Sequence, residues 1–165
     1  MRVYLPATIG MLRKFVADGK FTPVSGTAFA LTPTLRESYI SGDTEELEYA
    51  ALADAARASL RLIAAEEDGE EFPRRVVISA DVDDVTLRPD LDDAVVRIGG
   101  AVSLDEVAAV HVDLIEAERD VRAAAEVVDE ADLGNPDAEF VLGGAEDHEL
   151  AWYAPQELPF LLELM

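Results

Sequence analysis

The chain has 165 residues, half of them hydrophobic, with 35 acidic against 13 basic side chains and a formal charge of −22. That length favours one domain, spanning residues 1–165, and that hydrophobic content supports a buried core, so the acids are expected to coat a folded surface. Such a surface repels phosphate backbones and anionic lipids, which excludes nucleic acid and membrane as expected partners; the lack of cysteine excludes disulfides, thiolate catalysis, iron–sulfur clusters and Cys-type zinc sites.

In chain order, "RVYLPA" (Arg2–Ala7) reads as a first strand ended by Pro6. Thr8 caps a helix to about Asp18, with Leu12, Phe15 and Val16 on one face and Gly19 as its stop. "TAFALT" (Thr27–Thr32) is the second strand, and Thr32-Pro33 then starts a short helix to about Ile40, a hydroxyl cap followed by proline at the first helical position. Asp43 and Glu46 make a capping box ahead of the strongest helical segment, Thr44 to about Glu66, with a stripe of Leu47, Ala51, Ala55, Ala58 and Leu62. Leu52, Ala56 and Ile63 widen that stripe.

"RRVVISADV" (Arg74–Val82) is the clearest strand. "VTLRP" and "AVVRIGG" make a hairpin across "DLDD", and Ser103 with Glu106 caps one or two helical turns. "AAVHVD" (Ala108–Asp113) is the next strand, and Asp113 with Glu116 is expected to cap a helix burying Ala117, Val121, Ala124, Ala125 and Val128. Gly134 to about Asp147 reads as a loop holding a short "EFVL" strand, "HELAWY" as the last strand, and "PQELPFLLELM" as a partly helical tail. The tail docks on its own sheet or joins a dimer interface. No apolar run approaches the ~20 residues that span a bilayer, and "MRVYLPATIG" lacks a signal-peptide pattern, so a cytoplasmic location is expected.

A faint internal echo runs through the chain: "VYLP…ALTPTL" and "VHVD…WYAPQEL" both read strand, helix, strand, proline-started helix, with Tyr4 matching His111 and Pro33 matching Pro155. Right-handed crossovers in both units would give a mixed sheet. The expected fold is α+β, a mixed sheet with packed helices in a decorated ferredoxin-like arrangement; the alternative is a three-layer α/β sandwich. The blocks "RVYLPAT", "TAFALTPTLRE", "EELEYAA", "ASLRL", "RRVVISADV", "VAAVHVD" and "HELAWY" resemble, in order, those of an actinobacterial family known only as a domain of unknown function. The match is weakest over Asp83–Val102 and Leu133–Ala145. The resemblance implies a bacterial cytoplasmic domain and brings no activity, cofactor or catalytic residue.

The candidate polar cluster is His111, His148, Glu149, Arg36, Arg57 and Tyr49. His148 stands among Glu146, Asp147 and Glu149, any of which could orient it as a general base, although strand alternation puts it at a strand mouth. The same alternation makes Trp152 a core anchor. If their strands are neighbours, His111 and His148 with nearby acids could bind iron, manganese or zinc, yet no ligand spacing supports a metal and no cofactor is expected. Tyr49 marks a groove wall, where Arg36 and Arg57 either hold a carboxylate ligand or make structural salt bridges. The acidic runs "ADVDD" and "RPDLDD" read as solvated turns, and no GxGxxG, P-loop or GxSxG pattern follows a strand.

The reading leans away from an enzyme. It favours a non-catalytic binding or regulatory domain partnered by itself, as a homodimer, or by another protein. A small metal-dependent or His-based hydrolase is the alternative, and an acidic nucleic-acid mimic is the third.

Overall fold

The computed structural model describes residues 1–66, 69 and 71–165. Seven strands form the main sheet: β1 (Arg2–Ala7), β3 (Thr27–Phe29), β4 (Val76–Asp81), β5 (Val85–Leu87), β6 (Val95–Ile98), β8 (Val107–Val112) and β9 (Ala151–Tyr153). Their order is β5-β6-β3-β1-β4-β8-β9, and β2 (Lys20–Phe21) pairs separately with β7 (Val102–Ser103). The helices are α1 (Ile9–Asp18), α2 (Pro33–Glu37), α3 (Thr44–Ala65), α4 (Glu118–Asp132), α5 (Pro136–Glu146) and α6 (Leu158–Glu163).

The α+β class is as expected, and helices cover both faces of the sheet. On one face Val3, Leu5, Val76, Ile78, Val110 and Val112 meet Ile9, Leu12 and Phe15 of α1 and Leu158 and Leu161 of α6. On the other, Tyr4, Phe29, Val77 and Val95 meet Leu35 of α2 and Ala51, Ala55 and Ala56 of α3. A third cluster joins Leu60 of α3 to Val121, Ala124 and Val128 of α4 and Ala138, Leu142 and Ala145 of α5. Period-two alternation along β1 and β4 feeds the two sides.

Every strand pair among the described residues is antiparallel, so the sheet lacks the parallel neighbours that two right-handed crossovers would make. The internal echo survives as chain order and adjacency, β1 beside β3 and β8 beside β9, but α1 and α4 lie on opposite sides of the sheet. Pro6 sits inside β1 without ending it. Proline costs a strand only its N–H, and β1 pairs with β3 solely through Tyr4 and Phe29.

The caps follow local chemistry. Thr8, Thr32 and Asp43 side chains accept from the N–H groups of Met11, Leu35 and Glu46, and Gly19 closes α1 with φ 76°. Ser103 and Glu106 bracket one 3-10 turn, the Ser103 N–H donating to Glu106 Oε1 at 3.0 Å. The tail docks as α6 on the sheet. The stripe of α3 turns past Ala55 onto Ala56, Ser59 and Leu60, leaving Ala58 and Leu62 half-buried. Ser59 Oγ donates to the Ala7 carbonyl (2.7 Å) and accepts from the Val76 N–H (3.1 Å), satisfying two strand ends at once.

Three expectations are corrected. Gly134–Asp147 is α5 rather than a loop with a strand: Asn135 Oδ1 accepts from the N–H groups of Asp137 and Ala138, and Pro136 takes the first helical position. Gly143 and Gly144 cost a helix about 1 kcal/mol each, but Leu142 and Ala145 bury beside them against α4. Asp113 caps no helix; its side chain is taken by Arg75. Trp152 is no core anchor. It is 60% exposed on β9, an edge strand reduced to Ala151–Tyr153.

Candidate functional site

The groove beside α3 grows from one helix and one loop. The same helix that buries Ala51 and Ala55 turns Tyr49, Leu52, Ala53, Ala56 and Leu60 toward the segment between α5 and β9. That segment supplies His148 and Leu150, and the last residue of α5 supplies Glu146, as the opposite wall. Asp54, Arg57 and Arg75 complete a hollow of about 400 Å³, within the ~300–1,000 Å³ of small-molecule clefts.

Arg75 holds the loop in place. Its Nε and Nη2 donate to Asp113 Oδ2 and Oδ1, both at 2.8 Å, and Nη2 also donates to the His148 carbonyl at 2.9 Å. The backbone N–H of Arg75 adds a 2.8 Å bond to Asp113 Oδ2. Neighbouring strands make this pair, since Val76 lies opposite Val112 and the next residues out are Arg75 and Asp113. The His148 ring is then fixed by α4, with Nε2 2.8 Å from Asp120 Oδ2.

Of the six candidate residues, Tyr49, Arg57 and His148 share this groove. Arg57 gives its donors to Asp132 Oδ1 (3.0 and 3.1 Å) and Glu139 (2.8 and 3.4 Å), tying α3 to α4 and α5 as a structural salt bridge. These bonds hold the Asp132 and Glu139 carboxyls below their ordinary range; Asp132 is lowered first by Arg61 and then by Arg57. Arg36 is exposed, its guanidinium donates to Thr44 Oγ1 at 3.4 Å, and it lies outside the groove, as does the exposed Glu149.

His111 lies on the sheet, where Val77 and Trp152 are its strand partners and Ser79 Oγ is 3.0 Å from Nε2. Burial first, then the Arg2 charge, pushes its pKa below the ordinary 6.5. The two histidines thus hold different partners, and no group of three metal-ligating side chains converges among the described residues. In the acidic run that begins at the end of β4, Asp81 accepts from Arg2 Nε at 2.8 Å.

Sequence reading missed Asp54, Arg75, Asp120 and Leu150. Only Arg75 left a signal, standing at a strand start opposite the end of a strand that finishes in aspartate. Fold and groove define an α+β domain with a mixed polar and apolar cleft beside its longest helix. The chain belongs to a family of unknown function, DUF6912, which matches residues 1–162. No curated protein and no solved structure matches it. No helix of the described residues is long and apolar enough to cross a membrane.

Proposed function

We propose that the protein is a non-catalytic binding domain whose small-molecule ligand occupies the groove between α3 and Glu146–Leu150. The observation carrying this reading is the meeting of Tyr49, His148 and Arg57 around an apolar floor of Leu52, Ala56, Leu60 and Leu150. Clefts that combine an apolar surface with a few fixed polar groups are the usual form of ligand sites. The hydrolase alternative has less support: among the described residues the groove is lined by no serine, threonine or cysteine, and the one Ser–His contact, Ser79 with His111, has its serine buried in the sheet.

A fragment screen read by amide chemical shifts tests the proposal. Hits should move Tyr49, Ala53 and Leu150, and Ala53→Trp, which fills the groove from an exposed helix position, should remove them while the remaining spectrum stays folded. Hits clustering instead around Met11, Phe15 and Phe21, which line another hollow, would reject it.

Self-association is a second reading, favoured by Trp152 on the free edge strand β9. A second copy extends an antiparallel sheet at such an edge. The charge of −22 per chain opposes the contact, so dimerisation should strengthen with salt. Light scattering that gives a monomer at every protein and salt concentration removes this reading.

A further inference from the structure

Two strands of the main sheet hold an aromatic residue at matching places and are finished differently. In β3, Phe29 lies opposite Tyr4 on one side and Val95 of β6 on the other, and is 7% exposed. In β9, Trp152 lies opposite His111, the residue that matches Tyr4 in the internal echo, and is 60% exposed. Among the described residues no strand takes beside β9 the place that β6 takes beside β3. The free backbone groups there follow from β8. The Asp113 N–H donates to the Arg75 carbonyl, so alternate residues of β8 face β4, and Val110 and Val112 face β9. These two bond Tyr153 and Ala151, which leaves the N–H and C=O of Trp152 pointing away from the sheet. The Ala154 N–H, further along the chain, is already taken by Glu157 Oε1 at 3.1 Å. β9 is short, one of the ways an edge is guarded, yet Ala151–Tyr153 carries no lysine, proline or charge.

Charge decides what fits this edge. The stretch from Glu146 to Glu157 holds the exposed acids Glu146, Asp147, Glu149 and Glu157 and no lysine or arginine. Arg2, the base whose charge reaches His111 beside Trp152, is itself bonded by Asp81. A second copy paired antiparallel would bring each chain's Glu146–Glu149 toward the other's Glu157, acid against acid. A strand carrying lysine or arginine meets the same acids with the opposite charge. We propose that β9 is a docking edge for an extended basic segment of another protein, which adds to the sheet as a further strand. Its backbone bonds the Trp152 N–H and C=O, an apolar side chain lies against the indole, and flanking bases face Glu149 and Glu157. This is independent of the groove, and it gives the edge a different occupant from a second copy, with the opposite response to salt.

Three probes separate strand addition from charge: a short peptide alternating lysine and valine, the same peptide with every amide N-methylated, and its glutamate–valine counterpart. Each is titrated into the full chain and followed by amide shifts. The lysine–valine peptide should move Ala151, Trp152 and Tyr153, slow hydrogen exchange at the Trp152 amide, and bind more weakly as salt rises. N-methylation should weaken binding about tenfold, two backbone hydrogen bonds being worth about that factor. The glutamate peptide should not bind. Trp152→Pro deletes the outward N–H at an edge position, where proline is tolerated, and should abolish binding; the N-methylated peptide decides the same point without altering the protein. Equal binding of the methylated peptide would overturn the added strand, leaving charge attraction alone. Equal binding of the glutamate peptide would overturn the basic partner. Shifts confined to Val85–Leu87 on the opposite edge, or absent from Trp152, would overturn the site. A Trp152 amide that becomes protected in the chain alone as protein and salt concentrations rise would give the edge to a second copy instead.

Discussion

Arg75 and Asp113 form a doubly hydrogen-bonded ion pair with side chains 4% and 0% exposed, and the same guanidinium carries the His148 carbonyl. A core pair and one wall of the groove are therefore a single unit. Removing one partner leaves the other buried without its counter-charge. Asp113→Ala should cost about 3–5 kcal/mol, whereas Arg75→Met with Asp113→Leu should cost clearly less than the single change. Urea denaturation of the single and double variants checks this. The double variant should still loosen His148, visible as a broadened imidazole signal, because its carbonyl loses the Arg75 donor.

Ser59 is the second buried polar contact open to test. Ser59→Ala removes the donor to the Ala7 carbonyl and the acceptor of the Val76 N–H. Leaving buried backbone groups unpaired should cost about 1–3 kcal/mol, read as a lower urea midpoint with an unchanged slope. Ala58→Ser, one position away on the same helix and half-buried, should change the midpoint little.

His111 should shape the acid side of the stability curve. Its folded pKa lies below the ordinary 6.5, so the unfolded chain takes up the proton first as pH falls. The contribution is complete above 6.5 and is lost as pH drops from there through the folded pKa. Urea midpoints measured across that window should fall, and His111→Gln should flatten the fall. A His111 imidazole titrating above the ordinary value in a proton NMR titration would contradict the assignment.

Asp132 receives both Arg57 and Arg61, at 3.0 and 2.7 Å. Asp132→Ala should therefore cost more than Arg61→Ala, which breaks one pair, and about as much as Arg57→Ala, which also frees Glu139, about 1 kcal/mol for partly exposed pairs. High salt should shrink the loss, since exposed charges are screened. Thermal melts at low and high salt give both numbers.

Trp152, the only tryptophan, should emit as a solvated indole. Its acidic sequence neighbours and the net charge should make caesium a better quencher than iodide, reversing their usual order. A blue-shifted, unquenched emission would return Trp152 to a core or an interface.

The sequence was most readable where a residue acts on its own neighbours. Thr8, Thr32 and Asp43 cap, Gly19 stops and Val121, Ala124 and Val128 face inward because these effects lie within one or two turns. Reading failed where a distant partner decides. The segment from Gly134 to about Asp147 read as a loop, and it is helical because α4 supplies a surface for Leu142 and Ala145. Alternation made Trp152 an inward residue, yet β9 is an edge strand and its tryptophan faces largely open solvent.

The candidate site divides in the same way. Tyr49, Arg57 and His148 stood out as unusual side chains, and the fold does bring those three to one groove. Arg36, Glu149 and His111 were equally unusual and lie elsewhere. The amino-acid sequence by itself determined the acidic charge, the exclusion of thiol chemistry, most helix starts and the clearest strands, all of which depend on composition or short-range geometry. The antiparallel sheet order, the partner of Asp113 and the meeting of Tyr49, Arg57 and His148 in one groove were decided only by tertiary structure, since each depends on which residues, far apart in the chain, stand beside one another.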